Sequence, residues 1–92
     1  MVRFDWDERK ATANLAKHGV SFNEAGTVLG DSLGWTYPDP KHSGSEQRWI
    51  TVGLSETGRV LVVSHTGEDE EVTRIISARR ATRKERRFYE EG

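Results

Sequence analysis

The opening residues Arg3, Phe4, Asp5 and Trp6 alternate polar and aromatic, the period of a short strand that points Phe4 and Trp6 the same way. A helix over 8–18 follows: Asp7 is placed to cap it, Glu8 sits at its positive end, Ala11, Leu15 and His18 share a stripe, and Gly19 supplies the left-handed stop. Ser21-Phe22-Asn23-Glu24 has capping-box spacing, so a second helix starts at Phe22, with Phe22, Ala25, Val28 and Leu29 as its apolar face and Gly30-Asp31 as its close. From Gly34 the period changes to two. Trp35 and Tyr37 share a strand face until Pro38-Asp39-Pro40 ends it, because proline cannot donate to a ladder.

After an open loop at 41–45 come three more strands, over 48–54, 59–66 and 72–78, joined by turns at Ser55-Glu56-Thr57-Gly58 and at 67–70. Simple alternation puts Ile50, Val52 and Leu54 on one side of the first of these and Trp49, Thr51 and Gly53 on the other. The near-continuous run Val60-Leu61-Val62-Val63 marks the sheet centre. In the last strand, Val72, Arg74, Ile76 and Ala78 alternate with Thr73, Ile75 and Ser77. Thr82-Arg83-Lys84-Glu85 is a second capping box and starts a final helix over 83–90, anchored by Phe88. The order strand, helix, helix, four strands, helix, with short meander connections, predicts an α+β fold of helices on a mainly antiparallel sheet. One domain spans 1–92, a size that hides roughly 60 to 65 % of its unfolded surface.

Composition excludes more than it assigns. The chain has no cysteine, hence no disulfide framework, thiol nucleophile or thiolate zinc site. The first residues carry charges where a signal peptide needs an apolar stretch, and the longest aliphatic run is far too short to span a bilayer, so the expected location is the cytoplasm and no membrane partner is expected. The net charge of −1 is uninformative until position is considered. Between Arg74 and Arg87 lie seven basic residues and one acidic residue, Glu85, a local excess of +6 that leaves −7 for the rest. This asymmetry points to an anionic partner such as nucleic acid.

Arginines outnumber lysine six to one in that block, and a guanidinium fork can hold phosphate through two hydrogen bonds. The alternative is a solvated helix laced by Arg86–Glu90 and Arg87–Glu91 pairs. Arg79 and Arg80 stand at the strand-to-helix corner, where helix N–H groups also point outward. Arg74 alternates with Val72 and Ile76, so its stem is expected on a semi-apolar strand face and its head needs an anion or a carboxylate. Of the histidines, His18 serves as a helix cap, His42 is a loop residue without a local partner, and His65 ends the central strand, where a general acid or base can meet a substrate. No histidine pair has metal-ligand spacing, and the acids at 68–71 read as a solvated turn, so neither a metal nor another cofactor is expected. Glu46 and Arg48 fall on one side of a strand, to pair with each other or to face a ligand. Trp6, Trp35, Trp49 and Tyr89 can stack on bases or pack a core.

Several strings together resemble one family. Phe4-Asp5-Trp6-Asp7, Asn14, Lys17 to Ala25, Pro38-Asp39-Pro40 and Glu46-Gln47-Arg48 resemble the first half of BrnT proteins. Ile50 to Leu54, His65-Thr66, Arg74 to Arg79 and Glu85 to Glu90 resemble the second half, while the turn 67–71 is more acidic than the family pattern. The resemblance implies a RelE-like fold and a ribonuclease toxin of a type II toxin–antitoxin pair. Such a protein cleaves RNA without a metal, inhibits translation, is neutralised by a BrnA-like antitoxin, and reaches operator DNA only through the antitoxin complex. It makes His65, Arg74, Arg79 and Arg83 the first candidates for catalysis, with Glu46 and Tyr89 behind them, and Arg48, Arg80, Lys84, Arg86 and Arg87 the candidates for RNA contact. A non-catalytic nucleic-acid-binding or partner-binding module is the alternative.

Overall fold

The computed structural model describes residues 3–41, 44, 46–67 and 71–92. His42 and the acids at 68–70 lie outside the described residues. The elements run β1 (Arg3–Asp5), α1 (Glu8–His18), α2 (Phe22–Val28), β2 (Trp35–Pro38), β3 (Arg48–Leu54), β4 (Val60–Thr66), β5 (Val72–Arg80) and α3 (Arg83–Glu91).

Local chemistry sets most of these boundaries. Asp7 Oδ1 accepts from the N–H groups of Arg9 and Lys10 at 2.8 and 3.3 Å, satisfying donors that the first turn of α1 leaves open. Gly19 ends α1 at φ 69°, a left-handed conformation that costs a side-chain-bearing residue more than glycine. Ser21 accepts from Glu24 N–H at 3.0 Å, but the Glu24 carboxylate does not return to complete the expected box. It turns instead to the β3–β4 hairpin, where it accepts from Ser55 Oγ (2.8 Å), Thr57 Oγ1 (2.6 Å) and Arg59 Nε (2.9 Å) and pairs with Arg59 Nη2. An ionic partner in reach outcompetes a weak local bond.

The five strands form one sheet in the order β1-β5-β4-β3-β2. β2 to β5 pair antiparallel, whereas β1 lies parallel to β5, with Arg3 opposite Val72 and Asp5 opposite Arg74. The sheet is therefore mixed, not purely antiparallel. The meander joins neighbours in sequence, but β1 crosses to the far edge, a pairing that hydrophobic periodicity does not encode.

Simple alternation along β5 also fails. Ser64 pairs with Ser77 but His65 pairs with Ile75, so Ile76 is an extra residue and the strand changes phase. Ile75 and Ala78, expected on opposite faces, both enter the core at 1 % exposure. That core combines Val20, Phe22, Ala25 and Val28 of the helical layer with Leu61, Val63, Ile75 and Ala78 of the sheet. Trp6 packs edge-on against Phe22 with centroids 6.0 Å apart. At Gly53 an added Cβ would lie 3.1 Å from Val28 Cγ1 and 3.2 Å from Asp31 Oδ2, so glycine lets the end of α2 rest on β3.

Asn14 is a buried polar bolt through this layer. Its Nδ2 donates to Val20 O (3.0 Å) and Ala78 O (2.8 Å), and its Oδ1 accepts from Ala78 N–H (3.1 Å). α1 is thereby fastened to β5 across 64 positions of sequence. The α1 stripe is correspondingly different from the expected one: Asn14 is its buried residue and Leu15 is 52 % exposed.

Candidate nucleic-acid interface

Alternation separates the two faces of the sheet. Leu61, Val63, Thr51 and Thr36 point toward α1 and α2, so Trp35, Tyr37, Ile50, Val52, Val62, Ser64, Arg74 and Arg79 lie on the other side, where α3 packs. Row by row, the register aligns Tyr37 with Ile50, Ser64 and Ser77, and aligns Trp35 with Val52, Val62 and Arg79. Arg48 pairs with Thr66 at the opposite end of the same face, and Thr66 Oγ1 accepts from Arg74 N–H at 3.2 Å. The result is a platform with arginines at both ends, separated by roughly 13 Å of strand.

At the α3 end, Arg79 forms a two-pronged ion pair with Glu85, Nη1 to Oε1 at 2.7 Å and Nη2 to Oε2 at 2.9 Å. Glu85 also accepts from Thr82 N–H at 2.8 Å while Thr82 Oγ1 accepts from Glu85 N–H at 3.2 Å, which completes the capping box of α3. One carboxylate thus starts the helix and holds the arginine. The Arg79 bonds and charge, with help from Thr82, lower the Glu85 carboxyl to about 2 despite partial burial. In return the Glu85 hydrogen bonds raise the Arg79 guanidinium above its ordinary range. The Tyr37 phenol is held above its usual range, first by burial and then by the Glu85 charge, against the opposing pull of Arg79.

The structure brings only some of the sequence candidates together. Arg83, Lys84, Arg86 and Arg87 are exposed along α3, beside Arg79, whereas exposed Arg80, opposite Leu61, takes the other phase of β5 and is not brought to the platform. Arg86 reaches Glu90 at a loose 3.9 Å. Arg74 stands at the other end of β5 and faces Asp5 at 3.7 Å; with 60 % of its side chain exposed, it is a solvent-facing cation and not the semi-apolar one that the sequence suggests. Glu46 is exposed ahead of β3, outside the strand, so it does not share a strand face with Arg48. Tyr89 donates to Asp31 Oδ2 at 2.6 Å and ties α3 to the corner after α2. Asp31 also accepts from Leu54 N–H at 2.8 Å and from Leu33 N–H at 3.0 Å.

His65 sits on the other face. It is 2 % exposed, with Nε2 2.7 Å from Thr51 Oγ1, which is itself 2.8 Å from Thr36 Oγ1. It borders a cavity of about 150 Å³ lined also by Phe4, Leu29, Asp31 and Thr73, on the side opposite Arg79. It stands one residue before the end of β4, and that place does not bring it to the surface, because its position shares the phase of Leu61 and Val63.

Sequence reasoning missed Tyr37 and Ser77 as platform residues and saw Glu85 only as a cap. The available signal was that Glu85 is the lone acid in the cationic block. Among the described residues no group of three or more His, Asp or Glu side chains could hold a metal ion, and no helix is long and apolar enough to cross a membrane.

Comparison with known proteins bears on the chemistry. The model of a family described as the ribonuclease toxin, BrnT, of type II toxin–antitoxin systems matches residues 6–85. Among solved structures, the 1.1 Å crystal structure of the Brucella abortus ribonuclease toxin, BrnT, superposes with a TM-score of 0.64 and 24 % identity, covering 90 % of this chain and 100 % of that one. A comparison with curated proteins gave no significant match.

Proposed function

Since the chain belongs to the BrnT family of ribonuclease toxins of type II toxin–antitoxin systems, we propose that it is a RelE-like, metal-independent endoribonuclease that binds RNA across the α3 face of its sheet. The observation that carries this reading is the platform itself: Arg79 gripped by Glu85 at one end, Arg48 and Arg74 at the other, and Tyr37 between them. A ribose 2′-hydroxyl attacks the adjacent phosphorus, the 5′ oxygen leaves, and a 2′,3′-cyclic phosphate results, so the step needs proton transfer and positive charge but no outside reactant. Arg79 keeps its Nε–H and outer edge for a phosphate oxygen while Glu85 fixes its plane. Tyr37, protonated at neutral pH, is available to donate to the leaving oxygen. Arg83, Lys84, Arg86 and Arg87 carry the flanking strand on charge alone, and Arg80, on the other phase of β5, stands outside it.

The burial of His65 argues for support of the β3–β4 pair through Thr51, not for contact with the scissile bond. Tyr89, committed to Asp31, acts likewise as a tether, and exposed Glu46 stands outside the reacting group. In the cytoplasm, cleavage would inhibit translation until a BrnA-like antitoxin covers the toxin, and operator DNA would be reached through that antitoxin.

The test is cleavage of cellular RNA by purified protein in excess chelator. Wild type is expected to cut, Arg79→Ala to lose about 10²- to 10³-fold, and a folded His65→Gln variant to stay close to wild type. Wild-type protein that cuts nothing at any concentration supports the non-catalytic binding module instead. Loss of cleavage in a folded His65→Gln returns that residue to the mechanism.

A further inference from the structure

Beside the Arg79–Glu85 pair, α3 does not seal against the sheet. A groove of about 480 Å³ runs between them, lined by Trp35, Thr36, Tyr37, Val52, Lys84, Glu85 and Phe88. Its walls are apolar and wet: Trp35 is 41 %, Tyr37 43 % and Phe88 53 % exposed, although Trp35 and Phe88 already touch with centroids 5.2 Å apart. No residue of α3 is buried, so the helix is held by its edges: the Arg79–Glu85 pair, the Tyr89–Asp31 bond and the Phe88–Trp35 contact. A contiguous apolar patch of this kind on a small protein marks a binding surface.

The charges around the groove select its occupant. At about 100° per residue, Lys84 lies roughly 40° from Phe88 on the groove side of α3, and Arg87 stands roughly 60° further round from Lys84. Arg83, Lys84 and Arg87 have no carboxylate within ion-pair distance among the described residues. A cationic rim above an apolar floor fits a segment with apolar residues on one side and carboxylates on the other, the helix-in-groove mode of peptide recognition. RNA fits this place less well, since Trp35 and Phe88 already face each other and Val52 offers no stacking surface, whereas the polar platform next to the groove serves phosphates.

Resting on the toxin reading above, we propose that the groove between α3 and the sheet seats an acidic amphipathic segment of the antitoxin, with Phe88 as its central apolar contact and Lys84 and Arg87 as its charge partners. Seated there, the segment lies against the Arg79–Glu85 pair and Tyr37, so binding blocks RNA without entering the core.

The experiment measures the affinity of the full-length chain for the purified product of the neighbouring gene, used as the antitoxin, and asks in parallel whether that product suppresses RNA cleavage. Phe88→Asp is expected to weaken binding by about tenfold or more while cleavage without the antitoxin persists. Lys84→Glu is expected to weaken binding and to flatten its salt dependence. If Phe88→Asp does not fold, as judged by far-ultraviolet circular dichroism, Phe88→Ala takes its place with the same expectation. Unchanged affinity in both folded variants overturns the proposal. So does loss of RNA cleavage with unchanged antitoxin affinity, which would make the groove an RNA surface. Wild-type protein that neither cuts RNA nor binds the neighbouring product fails the toxin reading instead, a separate and recognisable result.

Discussion

On the side that α1 and α2 cover, Val20, Ala25, Val28, Leu61 and Val63 are removed from solvent altogether, whereas on the α3 side Trp35, Tyr37, Leu54 and Phe88 remain between 41 and 53 % exposed. The first side is fastened by nonlocal bonds that satisfy every polar atom they bury: Asn14 to Ala78 and Val20, and Glu24 to Ser55, Thr57 and Arg59. The second side is fastened at points on its rim. Both sides use a capped helix and a carboxylate–arginine pair, so the parts alike give different results. What differs is whether apolar area closes over the pair. Stability is concentrated on one face, and the other keeps surface available for ligands.

Substitutions can break this contrast or sharpen it. Phe22→Ala, at 2 % exposure in the core, is expected to cost about 3 to 5 kcal/mol in chemical denaturation; a loss below 1 kcal/mol would mean that the α1–α2 side is not the stable one. Asn14→Ala leaves the Ala78 N–H without its acceptor and is expected to cost about 2 to 3 kcal/mol in the same assay. A near-neutral result would show water taking over the bond.

Acid should distinguish the two carboxylates. Arg59 above all, through its hydrogen bonds, holds Glu24 at about 2, and Arg79 does the same for Glu85. Because both folded values lie below the ordinary 4.5, their stabilisation is complete above that pH and fades as pH falls toward 2. Melting temperatures across this window are expected to fall, and Glu24→Gln should flatten the dependence more than Glu85→Gln, since the Glu24 side chain is 12 % exposed and Glu85 28 %. The smallest effect belongs to Phe88→Ala, with less than about 1 kcal/mol lost at 53 % exposure. A loss as large as that of Phe22→Ala would erase the distinction between the faces.

The sequence made legible what short-range chemistry decides. Asp7, Gly19, Ser21 and Thr82 mark helix ends because caps act over a few residues, and the meander from β2 to β5 follows from short turns. The platform was half legible, since the basic block named Arg79 and its neighbours but not the face they share. What stayed hidden depends on pairings distant along the chain: the parallel seat of β1, the extra residue Ile76 that turns Ile75 and Ala78 to one side, and the phase that carries His65 inward. Glu24 shows the same limit, with a local cap predicted and a partner 35 residues away preferred.

The parallel pairing of β1 with β5 has a consequence in time as well as in space. Arg3 meets Val72, and Asn14 on the next element meets Ala78, so β1 and α1 find their places only after β5 has emerged. Local helices and the central hairpins can form during synthesis, but contacts of such long sequence separation close late. The arginines at 74 and 79 are part of that same final strand. A chain that lacks its final strand therefore holds neither its finished core nor its finished platform.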